Sequence, residues 1–252
     1  MEKKFILTDK FVINSFGIKL FQIKCTKSFK YAQKGDFGGY VEKEGNLDQE
    51  NDAWVFGNAR VSGNARVSGD AWVSDNAWVF GNARVFGNAR VSSNARVSGD
   101  AWVSDNARVS GDAWVSGNAR VSGDALVSGY AWVSGYARVF GNARVSGDAW
   151  VFGNARVSGD AWVSGNAWVS GDADIENDNE HCGFDGFGSC NRHTHAYMTK
   201  EKKVEIICGC FRGSIEEFEK KVEETHSGTV YEKQYKSIIN VIKIKFGLTD
   251  FT

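Results

Sequence analysis

From Ala53 to Ala173 an alanine returns at every sixth position without one insertion or deletion, giving twenty-one consecutive hexapeptides. The unit is [Asp/Asn]-Ala-x-Val-[Ser/Phe]-Gly, as in Asp148-Ala149-Trp150-Val151-Phe152-Gly153. Alternation predicts a short strand with Ala and Val on one face and the Arg, Trp, Ser and Phe positions on the other. Gly followed by Asn or Asp supplies the backbone freedom and local hydrogen bonding of a bend. One hexapeptide cannot bury its own apolar face. Stacked coils can, and a fixed short period marks a solenoid whose core is continuous along its length.

Composition draws the boundaries. Residues 52–173 contain no Lys, Glu, His, Cys, Thr, Ile, Met or Pro, whereas the flanks use most of these freely. The expected organisation is an N-terminal capping segment over 1–51, the repeat over 52–176, and a C-terminal α/β cap with two helices over 177–252. Ten Arg balance ten Asp within 52–173, and the whole chain carries a formal charge of −1, so there is no global pull toward nucleic acid or an anionic membrane. The first ten residues hold too short an apolar run for a signal peptide, and no stretch approaches a membrane span. Five cysteines, at 25, 182, 190, 208 and 210, are an odd number and suggest reduced thiols in a cytosol.

Ahead of the repeat, residues 17–51 read as short strands and turns. Leu20-Phe21-Gln22-Ile23-Lys24-Cys25 alternates as a half-buried strand does. Gly38-Gly39, within Gly35-Asp36-Phe37-Gly38-Gly39-Tyr40-Val41-Glu42, allows a tight turn or a close backbone approach; a phosphate-cradling loop lacks the following Gly-Lys-Ser/Thr. Asn46-Leu47-Asp48-Gln49-Glu50-Asn51 resembles a degenerate first hexapeptide, so this segment caps an open end where bare parallel strands would invite pairing.

Beyond Glu176 the repeat stops. A Gly-rich, polar stretch from Asn177 to Arg192 reads as irregular chain, followed by a strand at Val204-Glu205-Ile206-Ile207-Cys208 and a turn over 209–213. Ser214 and Glu217 have capping-box spacing, opening a helix with Ile215, Phe218 and Val222 on one face. Gly228 separates it from a second helix carrying Tyr231, Tyr235, Ile238, Ile242 and Phe246 at helical spacing. His181, Cys182, Cys190, His193, His195, Cys208 and Cys210 are zinc-type ligands by chemistry, but adjacent His181-Cys182 and the single residue between Cys208 and Cys210 match no zinc pattern. Buried cysteines and surface histidines are the plainer reading, and no metal or cofactor is assigned. No cysteine has the histidine-plus-carboxylate set of a nucleophile.

The pairing of Val151 with Ala155, repeated to Val169 and Ala173, resembles the left-handed parallel β-helix of hexapeptide-repeat proteins, where an inward aliphatic residue is followed four positions later by a small one. That resemblance implies three hexapeptides per coil, about seven coils and a shaft of roughly 34 Å at a strand spacing near 4.8 Å. Period alone leaves a two-sided coil of twelve residues equally open. The expected fold class is therefore mainly β, a parallel β-helix with small α/β caps. Three per coil sorts the outward slots into columns: Arg60, Trp78, Arg96, Trp114, Trp132, Trp150, Trp168 in one, Arg66, Arg84, Trp102, Arg120, Arg138, Arg156, Asp174 in another, and a mixed third. All nine Trp fall in outward slots. Stacking of Trp and Arg on one another accounts for such columns, at about 0.5–1 kcal/mol per exposed contact; a lateral partner or self-association also fits an exposed Trp column.

From about residue 17 onward the chain also resembles a group of phage- and prophage-carried hexapeptide-repeat proteins, through Gly35 to Glu42, the repeats, and Cys208-Gly209-Cys210-Phe211-Arg212-Gly213 ahead of two helices. His193-Thr194-His195 departs from that pattern. The resemblance implies an accessory protein acting in the cytoplasm of a bacterial host; inhibition of a host defence effector, as by anti-CRISPR proteins, is an analogy from phage accessory genes.

The functional expectation is a non-catalytic interaction scaffold whose partner is a host or phage protein, including a nucleic-acid-handling effector complex, with homo-oligomerisation as a further option. Trp114, Trp132, Trp150 and Trp168 are the expected apolar anchors, with Arg120, Arg138 and Arg156 as anion or cation–π partners. A hexapeptide-repeat acyltransferase is the first alternative, set back by the absence of any His, and so of a general base, in residues 52–173. A structural or assembly protein is the second.

Overall fold

A computed structural model describes residues 2–248. Each hexapeptide forms a two-residue strand, here called a rung, from Trp54–Val55 to Asp174–Ile175. The rungs stack into three parallel walls: one seven-stranded sheet with the Arg66 column, one seven-stranded sheet with the mixed column, and a ten-stranded sheet in which Phe5–Ile13, Lys19–Cys25 and Phe37–Val41 precede the Arg60 column. Each valine lies opposite the valine three hexapeptides on, as Val61 with Val79 and Val115 with Val133. The coil is therefore three-sided.

No repeat alanine or valine is more than 3% exposed. The alternation buries both because only Ala fits beside the corner, while the branched Val fills the interior, contributing about 1.5–3 kcal/mol per side chain. At the corners the residue after Ser or Phe takes a positive φ in every coil, usually as glycine. A Cβ on Gly63 would lie 2.9 Å from the Gly81 carbonyl one coil on, so both the dihedral and the stacking call for glycine. Asp75, at φ 60°, is an exception, and its carboxylate Oδ2 accepts from the Ser93 amide at 3.0 Å.

The solenoid has about eight turns, one more than the repeat count implies. Val41 pairs in parallel with Val61, and Leu47 bridges to Val67, so residues before the first hexapeptide supply two sides of an extra turn. The inward slot needs only a branched apolar residue. Leu47 lies in 46–51, the stretch that resembles a degenerate first hexapeptide, and stands eight positions before Val55, two out of phase with the six-residue period. Gly38 and Gly39 lie in the strand Phe37–Val41, not in a turn. A Cβ on Gly39 would stand 2.7 Å from both the Ala59 carbonyl oxygen and Val55 Cγ1, so the close backbone approach is the reason for the pair.

Lys4 closes the amino end. Buried to 4% exposure, its ammonium donates to the carbonyls of Asn51 and, at 2.9 Å, Ala53. Burial pushes its pKa down to about 8, against the pull of Asp48 and Asp52.

The polar Asn177–Arg192 stretch is not irregular. It contains the strand His181–Phe187, the edge of a four-stranded antiparallel sheet with Arg192–Met198, Val204–Cys208 and Phe211–Gly213. Glycine there makes room: a Cβ on Gly183 would meet the His193 ring at 2.8 Å. Helix α1 (Ile215–His226) opens with the predicted box, Ser214 Oγ accepting from the Glu217 amide at 3.2 Å while Glu217 Oε2 accepts from the Ser214 amide at 2.8 Å. Helix α2 (Val230–Lys245) buries Tyr235, Ile238, Ile239 and Ile242. Tyr231 and Phe246 remain only partly covered.

Candidate interaction surface

The ten-stranded wall carries the tryptophans in one line. Trp114 and Trp132 stack at 5.3 Å with planes 9° apart, and Trp150 and Trp168 do so at 5.3 Å and 12°. Between the pairs, Trp132 meets Trp150 edge to face at 5.0 Å and 70°. Stacking along the rod covers ring faces and leaves ring edges toward solvent. Serines of the preceding coil hold the first pair: the indole N–H of Trp114 donates to Ser98 Oγ at 2.9 Å and that of Trp132 to Ser116 Oγ at 3.0 Å. Trp150 and Trp168 are 39% and 38% exposed.

Two residues absent from the expected anchors flank this line. Tyr130 and Tyr136 occupy the corner position filled elsewhere by Asn or Asp, and are 67% and 66% exposed. They sit at the bends before and after the Trp132–Val133 rung, so three aromatic side chains occupy one level of the rod. The signal for them was legible as two consecutive departures from the corner consensus.

Not every tryptophan is on display. Trp54 occupies an outward slot but is 1% exposed, because Phe5 and Phe29 close over it at 6.2 and 5.3 Å. Repeat position assigns the slot; only the amino-terminal segment decides that it is covered.

The expected arginines lie on the neighbouring wall, so the seven named residues form two stripes, not one site. Arg84 and Arg120 lie over Trp102, at 5.3 and 4.8 Å from its ring. Arg156 lies over Phe140 at 5.4 Å and approaches Asp174 at 3.7 Å, the only ion pair made by a shaft arginine among the described residues. Arg138 has no such partner among them. A groove of about 550 Å³ along this wall is lined by Arg66, Arg84, Arg120 and Arg138, two of which the column pattern placed without singling out.

Where the rod meets the carboxy-terminal cap, His193 and His195 face Trp168 and Thr194 faces the helices, as strand alternation requires. His195 Nδ1 donates to the Trp168 carbonyl at 2.8 Å, since a carbonyl only accepts. Its Nε2 therefore accepts from His181 Nδ1, 3.2 Å away. Burial pushes the His195 pKa down to about 3, with the Trp168 carbonyl opposing. His193 Nδ1 donates to Asp185 at 2.8 Å, and that bond is the main cause of a lowered Asp185 pKa. Cys208 instead points to Thr194 and Tyr235, and burial pushes the Cys182 thiol up to about 11. His181, His193 and His195 thus lie on the opposite side of the sheet from Cys182 and Cys208. Among the described residues, no three His, Cys, Asp or Glu side chains converge as metal ligands would.

These walls and corners define a parallel β-solenoid with a small helical cap. The model of the YdcK beta solenoid repeat matches it over residues 53–69, 59–75, 83–99, 89–105, 101–117, 119–135, 137–153 and 151–165, so the shaft is similar to that repeat. No curated protein matches the chain. Among the described residues, no helix is long and apolar enough to cross a membrane.

Proposed function

We propose that this protein is a non-catalytic scaffold that docks a protein partner along its tryptophan wall. The observation that carries this reading is the half-exposed line Trp114, Trp132, Trp150, Trp168 with Tyr130 and Tyr136 beside it. Aromatic side chains locked by stacking and by serine hydroxyls lose little entropy on binding and suit interface anchors. Their outward edges carry the positive side of the ring quadrupole, which favours partner carbonyls and aromatic faces. A shaft without His, Cys, Glu or Lys supports display over chemistry.

The finer reading comes from the phage-carried proteins the chain resembles: the partner is a host defence effector, met in the bacterial cytoplasm. The test is capture from the host of origin with wild-type protein and with a Trp114→Ser, Trp132→Ser, Trp150→Ser variant of unchanged circular dichroism. A partner held by the first and lost by the second is expected; equal retention rejects the wall as the docking surface. Restored phage growth against the purified effector's pathway then tests the defence role.

A further inference from the structure

The shaft is neutral in sum but not in place. Five of its ten arginines share one wall, and three adjoining pairs, Arg66 with Arg84, Arg120 with Arg138 and Arg138 with Arg156, lie directly opposite in register. Like charges facing each other on strands about 4.8 Å apart repel and destabilise the wall unless an anion sits beside them. The protein supplies little. Four guanidinium groups line the groove of about 550 Å³ against a single carboxylate, Asp100, which already accepts from Asn82 Nδ2 at 3.0 Å. The acidic corners lie elsewhere: Asp70, Asp124 and Asp160 follow the arginine rungs, on the far side of the wall from the groove.

We infer that this groove binds a single-stranded nucleic acid, with Arg66, Arg84, Arg120 and Arg138 on consecutive phosphates and Tyr136 as a platform for one base. The groove extends over four coil steps, about 19 Å, along one straight wall, which suits one strand and not the two curved phosphate rows of a duplex. Trp102 already has arginines at 5.3 and 4.8 Å, so its part is to splay and orient them. Tyr136, 66% exposed, has no ring partner among the described residues and stays free to stack. An acidic polypeptide would be met equally by lysine, yet the shaft contains none; planar forks beside a free aromatic ring match alternating phosphate and base.

The measurement is fluorescence anisotropy of a labelled oligothymidylate of about 12 nucleotides, within the range of single-strand sites. Saturable binding at low salt is expected, with a log–log salt slope of about −3 from four neutralised phosphates. Arg66→Gln with Arg138→Gln should roughly halve that slope, whereas Arg66→Lys with Arg138→Lys should keep it. Tyr136→Ser should weaken binding about fivefold or more at unchanged slope. Arg90→Gln with Arg108→Gln, an in-register pair on the mixed wall outside this groove, should change nothing. Absence of saturation, equal losses on both walls, or displacement by polyglutamate at matched charge overturns the inference. Loss on Trp132→Ser also overturns it, by moving the site to the tryptophan wall; retained binding keeps the oligonucleotide on the arginine wall, whether or not the tryptophans dock a protein.

Discussion

At the amino end of the rod the wall itself continues, Phe37–Val41 pairing in parallel with Arg60–Val61 and antiparallel with Lys19–Cys25, which in turn pairs antiparallel with Phe5–Ile13. One core runs from Phe5 through every repeat valine. At the carboxy end a separate four-stranded sheet takes over, joined to the last coil by the Ala173–Thr199 bridge and by the Lys200 amide donating to the Asp172 carbonyl at 3.0 Å. Its helices pack a core of their own, with Ala196, Ile206, Phe218 and Ile242. The difference teaches that a solenoid can be stopped either by extending its pairing or by covering it, and that the two stops should fail differently.

The largest effect expected is at the fused end. Trp54→Ala removes a side chain 1% exposed between Phe5 and Phe29 and should cost about 3–5 kcal/mol, felt in a single urea transition that includes the rod. Ile242→Ala, in the second core, should cost about 2–5 kcal/mol in a transition of the cap alone. Tryptophan fluorescence reports the rod, since all nine Trp lie in it, and helical ellipticity reports the cap. Coincident transitions for Ile242→Ala would show that the two cores unfold as one.

A pH series sharpens the same contrast. His195 stays neutral in the fold, its pKa held down at about 3 by burial, while an unfolded histidine titrates near 6.5. The unfolded chain then takes up a proton that the folded cap refuses. Stability is complete above that unfolded value and declines as pH falls below it, by about 2 kcal/mol at pH 5. Urea midpoints for the cap should therefore drop between pH 7.5 and 5 far more than those for the rod, and a His195→Asn variant should lose most of the dependence. A parallel decline in both would remove His195 as the cause. The smallest effect is Ser214→Ala, which deletes the α1 cap and should lower cap stability by about 1 kcal/mol, seen as a shift of the helical transition with the rod unmoved.

The candidate surfaces were unevenly legible. Once three hexapeptides made a coil, the columns followed by counting, and Trp114 to Trp168 and Arg120 to Arg156 stand where the count placed them. What they do there was not countable. Arg156 turns toward Asp174, whereas Arg66 and Arg84, outside the expected contact residues, line the groove. Tyr130 and Tyr136 broke the consensus in plain sight and belong to the most exposed aromatic level.

Repetition is the reason the sequence by itself determined so much. Every repeat residue has copies of itself as neighbours above and below, so its inward or outward direction, its column and its corner dihedral follow from local alternation and period. Residues outside the repeat take their surroundings from distant parts of the chain. Phe5 and Phe29 bury Trp54, Leu47 completes a turn two residues out of phase, and Gly183 yields space to His193 within a strand. Those outcomes, and the gathering of neutral-sum charge into one cationic groove, were settled only when the coils stacked and the ends closed over them.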